Sequence, residues 1–324
     1  MNYIGSKKKL LSFLENVILE VTGGLEDKSF YDLFSGTTIV AQHFKSLAKE
    51  VVANDFEYYS YVLGRNYIQN STVDTNLIDT LNNVSGEEGF ITTAYNHTGR
   101  MYFTEENAMK IDAIREYIQG LYENGDIDED NYYFALCSLL ESADKVANTA
   151  SVYGAFLKKY KNTALTPLTI SPALPVATNK QGTMYNKDIN DFVKEISGDV
   201  VYLDPPYNPR QYGSNYHMLN TIASYKPFEP KGKTGLPSYQ KSKYCSKVAA
   251  RKTFEDLISN LDFKYIFISY NNEGIISNIG DILSQYGKYT EYTTDYARFR
   301  ADKSSNRNVG TNKVIEYLHV LERN

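Results

Sequence analysis

The stretch best equipped to do chemistry is Asp204-Pro205-Pro206-Tyr207, which follows directly on the apolar run Asp199-Val200-Val201-Tyr202-Leu203. Two consecutive prolines fix the backbone and remove two amide donors, so the peptide carbonyls around them face outward as acceptors instead of joining a helix. A carboxylate and a backbone carbonyl held together at a strand end can each take a hydrogen from a planar amine. That draws the amine's lone pair out of ring conjugation, so that it can attack a sulfonium methyl. Tyr207 adds a flat face for the amine's ring. Asp32, Gly36 and Asp55 form a second constellation. A glycine in a strand-to-helix turn allows close backbone approach, and an acid at the end of the next strand is placed to accept hydrogen bonds from ribose hydroxyls. The Gly-x-Gly-x-x-Gly of dinucleotide folds is missing, which disfavours NAD and leaves room for a nucleoside cofactor without phosphates.

The elements that must position these residues are legible as strands and turns. Phe30 to Phe34 reads as a short buried strand, Ser35-Gly36-Thr37-Thr38 as a turn, and the residues to about Leu47 as a helix. A second strand follows from Glu50 to Ala53, closed by Asn54-Asp55. Strand, tight turn, helix, strand opens a doubly wound α/β sheet. Asp199 to Leu203, Lys264 to Tyr270 and Val314 to Leu321 read as later strands of the same sheet, their loops sharing one edge. Between Asp79 and Thr178 the pattern turns helical: Ile111, Ile114, Ile118 and Leu121 recur three or four apart behind a candidate cap at Thr104. A second helical run extends from Tyr132 to about Lys145. The expected organisation is therefore a catalytic α/β domain from 1–78 and 179–324, with an inserted helical module over 79–178 that is a candidate target-recognition module.

Charge is segregated along the chain. The formal net charge is −5, yet residues 208–252 hold nine basic side chains against the single acid Glu229, and the helical module has seven basic against fourteen acidic. Within 208–252 the aromatics Tyr212, Tyr216, Tyr225, Phe228, Tyr239 and Tyr244 interleave with the lysines, the pattern of a surface that holds phosphates and bases. A second basic cluster, Arg298, Arg300, Lys303 and Arg307, lies near the C-terminus. Cys137 and Cys245 stand far apart without a Cys-x-x-Cys or histidine-rich partner, so neither a disulfide framework nor a metal site is expected. No window approaches the roughly 18 apolar residues of a membrane span, and the basic N-terminal segment has no apolar run behind it. The expectation is a cytoplasmic protein with no membrane partner.

On these residues the chain resembles the amino-alpha class of DNA N6-adenine methyltransferases, the modification enzymes of restriction-modification systems. Tyr3-Ile4-Gly5-Ser6-Lys7 is similar to that family's N-terminal cofactor motif, Asp32-Leu33-Phe34-Ser35-Gly36 to its glycine motif and Asp204-Pro205-Pro206-Tyr207 to its catalytic motif, in the family's order. Tyr185-Asn186-Lys187-Asp188-Ile189 resembles the segment whose acid meets the cofactor's adenine. The glycine turn departs from the fuller Gly-x-Gly form, since Thr37 and Thr38 follow Gly36.

The resemblance implies a Rossmann-like α/β sheet dependent on S-adenosylmethionine. In it Tyr3 and Lys7 border the cofactor, Asp32 and Gly36 approach its methionine end, and Asp55 takes the ribose. Asp188 takes the adenine amine, with Ile189 among the same cofactor-binding positions. It also implies catalysis by Asp204, Pro205, Pro206 and Tyr207 on an adenine flipped out of double-stranded DNA, without a metal. DNA contacts are expected at Arg210, Tyr212, Asn215 and Tyr216 beside the flipped base, and at Lys231, Lys233, Lys241 and Lys243 on phosphates. A cognate restriction endonuclease acting on the same site is an implied partner. Asp-Pro-Pro-aromatic loops also serve enzymes acting on RNA bases or glutamine side chains, so an RNA or protein methyltransferase is the enzymatic alternative. A non-catalytic DNA-binding subunit is the other.

Overall fold

The computed structural model describes residues 5–297 and 313–323. The chain divides into two compact units. One comprises Gly5–Phe56, Thr178–Gln211 and Lys241–Asn324, and the other includes Glu57–Ala177 and Tyr212–Gln240.

The first unit is built on a seven-stranded sheet: β1 (Ser29–Asp32), β2 (Glu50–Asn54), β3 (Gln181–Tyr185), β4 (Gly198–Leu203), β5 (Phe263–Asn271), β6 (Lys288–Ala297) and β7 (Lys313–Glu322), in the order β3-β2-β1-β4-β5-β7-β6. The pairs from β3 to β5 are parallel, and β7 runs antiparallel to both β5 and β6. Val200, Val201, Tyr202 and Leu203 are all buried, which is why β4 is a continuous apolar run and not an alternating one. This is a Rossmann-like α/β fold. From β1 the chain winds through the helix Ile39–Phe44 to β2 on one side, while β4 lies on the other. The reversal opens a crevice at the carboxyl ends of β1 and β4, the place where such sheets hold ligands. Asp32 pairs with Tyr202 at this edge, and Asp204 follows two residues on.

The strands expected near 30, 50, 199, 264 and 314 are present within a residue or two. The helix after the glycine turn ends at Phe44, three residues early, and the Leu47 and Ala48 amides both turn back to the Phe44 carbonyl. β3 and β6, the two edge strands, are not among the expected strands. Only Met184 of β3 is buried, and residues 288–294 of β6 have no buried side chain, so neither presents an apolar run.

The second unit is helical. Thr104 caps Glu105–Glu123 by accepting from the Asn107 amide, and Asp128 caps Glu129–Val146 by accepting from Asn131. Their faces join Phe103, Ile111, Ile114, Phe134 and Leu139 in one core. This unit also takes in Tyr58–Gly64 and His217–Ser224, because Val62, Leu63, Met218, Leu219 and Ile222 are buried in that same core. Its boundaries therefore differ from 79 and 178. Residues 212–240 of the basic stretch belong to it, while 208–211 and 241–252 belong to the sheet unit.

Candidate active site

At the end of β4 three ionisable side chains converge. Asp204 Oδ1 lies 3.1 Å from Lys7 Nζ, and the same ammonium is 3.6 Å from Glu316 Oε1 and 5.9 Å from the centre of the Tyr207 ring. Lys7 belongs to the single 3-10 turn Lys7–Leu10 and is only 4% exposed. Burial alone would lower its ammonium, but the carboxylates of Asp204 and Glu316 outweigh that and hold it above its usual value. Burial in turn raises Asp204, against the pull of Lys7. It raises Glu316 as well, aided by repulsion from Asp204. One cation thus serves two carboxylates. Glu316 Oε2 has no hydrogen-bond partner among the described residues, so acceptor capacity is left over. Glu316 reaches this edge because β7 runs backwards: it stands opposite Asn271, the last residue of β5.

Tyr207 is braced from β5. Its carbonyl accepts from the Ile275 amide at 3.0 Å, and its ring meets Tyr270 edge-on at 6.4 Å. Tyr270 in turn accepts from the Ile276 amide through its hydroxyl, and the chain turns over the ring at Gly274. A Cβ there would fall 1.9 Å from the Tyr270 ring, so only glycine fits.

The ends of β1, β2 and β3 complete the crevice. Asp32 is buried, and Oδ2 accepts from the Ala41 amide in the first turn of Ile39–Phe44, while Oδ1 has no partner among the described residues. Desolvation raises its carboxyl well above the ordinary range. Gly36 has φ +50° and donates its amide to Asp55 Oδ2 at 2.7 Å, and Thr38 is also left-handed at φ 61°. That second positive φ is carried by a residue with a Cβ, which marks a strained turn. Asn54 holds Lys187 through both its carboxamide oxygen and nitrogen, tying the end of β2 to the segment after β3. Asp188 there accepts from the Asn190 amide and caps Ile189–Phe192, and Ile189 is buried. Tyr244 donates to Asn190 and packs edge-on to Phe34 at 5.2 Å.

The fold therefore gathers Lys7, Asp32, Gly36, Asp55, Asp188, Ile189, Asp204, Pro205, Pro206 and Tyr207 at the strand ends of one unit. Tyr3 lies outside the described residues, as does the 298–307 basic cluster. Arg210, Lys241 and Lys243 are exposed on the sheet unit. Tyr212, Asn215, Tyr216, Lys231 and Lys233 belong to the helical unit, where both lysines are exposed. Tyr216 is fully buried, stacked 6.1 Å from half-buried Tyr212 and 5.5 Å from Tyr59, so its ring is a core element here. The Asn215 carbonyl accepts from the Tyr153 amide. Sequence reasoning missed Glu316, Tyr270 and Gly274. The one available signal was an acid within the apolar run Val314-Ile315-Glu316-Tyr317-Leu318.

A doubly wound sheet with one reversed strand, an acid closing β1 and Asp-Pro-Pro-Tyr closing β4 defines the class as a Rossmann-like methyltransferase. The chain belongs to the D12 class N6 adenine-specific DNA methyltransferase family, whose family model matches residues 3–317. It is 53% identical to the Type II methyltransferase M.NlaIII of Neisseria lactamica, over 100% of this chain and 99% of that one. It is 40% identical to the Type II methyltransferase M.CviAII of Paramecium bursaria Chlorella virus 1, over 98% and 97% respectively. M.FokI of Planomicrobium okeanokoites is 35% identical over the whole of this chain, which spans 53% of it. Membership in a methyltransferase family of this fold implies use of S-adenosylmethionine, and a DNA methyltransferase acts on DNA. Among the described residues no helix is long and apolar enough to cross a membrane.

Proposed function

We propose that the protein transfers a methyl group from S-adenosylmethionine to the N6 amine of an adenine flipped out of double-stranded DNA, as the cytoplasmic modification enzyme of a restriction-modification system with a cognate endonuclease. The observation that carries this reading is the Asp204 carboxylate, held by buried Lys7 at the end of β4 beside the Tyr207 ring. The strand-end residues fit the cofactor. Asp32 offers a buried carboxyl oxygen with no partner among the described residues, and Gly36 and Asp55 shape an acid-lined turn without a phosphate-binding glycine pattern. Asp32 and Gly36 would hold the methionine end, Asp55 the ribose, Asp188 and Ile189 the adenine, with Lys7 bordering the site. When bound, the cofactor supplies an electrophilic methyl on a sulfonium.

The chain's own residues prepare the acceptor. Asp204 and the Pro205 carbonyl each take a hydrogen of the adenine amine and so localise its lone pair. Pro206 keeps the loop rigid, and Tyr207 stacks on the base. Lys7 opposes the rise that burial causes and so favours the ionised form of Asp204, which accepts and does not donate. No covalent enzyme intermediate is needed; positioning and electrostatics supply the rate. The helical unit is the candidate target-recognition module, and Arg210, Tyr212, Asn215, Lys241 and Lys243 are candidate DNA contacts.

The test is transfer of radiolabelled methyl from S-adenosylmethionine to unmethylated DNA, followed by nucleoside analysis. Label in N6-methyladenine that falls roughly a hundred- to a thousandfold in Asp204→Ala supports the reading. Transfer to RNA or protein but not to DNA overturns the substrate and leaves the acceptor chemistry standing.

A further inference from the structure

Within the helical unit, residues 231–236 form a tight turn closed by Lys231 and Leu236, which exchange both backbone hydrogen bonds at 2.9–3.0 Å. Gly232 and Gly235 have φ near +70°. Main-chain carbonyls of this turn face the 95–102 segment: Arg100 Nη2 donates to Gly232 at 3.1 Å and the Tyr95 hydroxyl to Gly235 at 2.9 Å, while the one proton of the Tyr102 hydroxyl is shared between the Tyr153 carbonyl at 2.8 Å and the Thr234 carbonyl at 3.1 Å. The fit is close, since a Cβ on Gly235 would meet the Tyr95 ring at 2.7 Å and Arg100 at 2.9 Å. The amides are treated in the opposite way. Among the described residues, those of Gly232, Lys233, Thr234 and Gly235 have no hydrogen-bond partner. Gly235 is buried, but Gly232 and Lys233 are exposed, so two successive amides left without acceptors lie at the surface beside the exposed ammonium groups of Lys231 and Lys233, with no acid between them. Lys231 also borders a cavity of about 520 Å³ with Lys226, Phe228 and Tyr239 in its walls, so space with aromatic faces adjoins the turn.

We propose that the 231–236 turn is a preformed binding site for one backbone phosphate of the DNA, made by successive main-chain amides and Lys231 and Lys233. Tyr95, Arg100 and Tyr102 are its positioning residues, acting through the turn's carbonyls without touching DNA. This deepens the reading that DNA is the substrate and rests on it. Pre-ordering matters because a turn already fixed loses little conformational freedom when it closes on a phosphate.

The test measures DNA affinity of the full-length protein against salt for wild type, Lys233→Gln and Tyr95→Phe. Melting curves confirm that each variant is folded. Lys233 is exposed, so its replacement leaves the core intact. One lost phosphate contact lowers the slope of log affinity against log salt by about 1. Tyr95→Phe keeps both lysines but loosens an anchor, and it raises the KM for DNA more than it lowers kcat. Replacing DNA phosphates one at a time by uncharged methylphosphonates locates a single position that weakens wild type by about tenfold. The same replacement adds little to Lys233→Gln. An unchanged slope in Lys233→Gln with no coupled phosphate, in an enzyme that still methylates DNA, overturns this inference alone. A wild type that neither binds nor methylates DNA overturns the substrate reading with it. If inorganic phosphate raises the melting temperature of wild type but not of Lys233→Gln while the DNA slope is unchanged, the turn is a free-phosphate site and the DNA assignment falls.

Discussion

Replacing Lys7 with methionine removes the one cation that Asp204 and Glu316 share while keeping much of the side chain's volume. At 3.1 Å and an effective dielectric of about 20, the Lys7–Asp204 attraction amounts to about 5 kcal/mol. That is an upper bound for the functional effect, because the Asp204 side chain keeps 19% exposure and water screens part of the loss. The acid limb of the rate should therefore move to higher pH. The direction is fixed by the pair: burial already raises Asp204 and Lys7 opposes that, so without Lys7 the carboxyl rises further and stays protonated to higher pH. A protonated Asp204 donates where it must accept. In Lys7→Met, kcat/KM should collapse first at low pH and recover towards wild type as pH rises, in methyl-transfer assays run from about pH 5 to about pH 9. Stability should fall by about 3–5 kcal/mol, the usual loss when a buried pair is broken from one side. The double variant Lys7→Met, Glu316→Gln should recover part of this by removing one of the stranded carboxylates. A folded Lys7→Met enzyme whose acid limb coincides with that of wild type would refute the reasoning.

Asp32→Asn separates stability from binding. Burial raises the Asp32 carboxyl, so the folded protein holds a proton that the unfolded chain releases, and wild-type stability declines as pH rises through the Asp32 value. The variant should melt above wild type at neutral and alkaline pH, the gap closing towards acid pH, while calorimetry finds S-adenosylmethionine bound about tenfold or more weakly. Gly274→Ala drives a methyl group into the Tyr270 ring and should lower stability by about 1–3 kcal/mol in denaturant unfolding, with a fall in kcat as Tyr207 loses its brace. Equal stability and turnover in that variant would sink the bracing argument.

The strands that hold the site were legible because both their faces are buried. Val200 to Leu203 is an apolar run that stops at Asp204-Pro205-Pro206, and Ile266 to Ile268 lies in a stretch of β5 that is buried as far as Asn271. The edge strands β3 and β6 were not, since half-exposed strands need no such run. Asp204, Asp32 and Gly36 were legible because each closes a strand within a short motif. Glu316 belongs to no motif: its place follows from pairing with β5 across the sheet, a relation that no local pattern carries. The limits of the helical unit were hidden for a similar reason. His217–Ser224 lies far along the sequence from Glu129–Val146, and only the shared core reveals that they fold together.

The reversed strand β7 also bears on how the enzyme is made. A ribosome delivers β1 to β6 in order, but β6 must settle at the rim with a gap beside β5 that only the last strand fills. Glu316 arrives with that strand to meet Lys7, which was synthesised long before it. A nascent or prematurely terminated chain thus has its Asp-Pro-Pro-Tyr loop but lacks the far wall of the charge cluster. Assembly of that cluster is tied to synthesis of β7, so products that stop before it are expected to leave DNA unmodified.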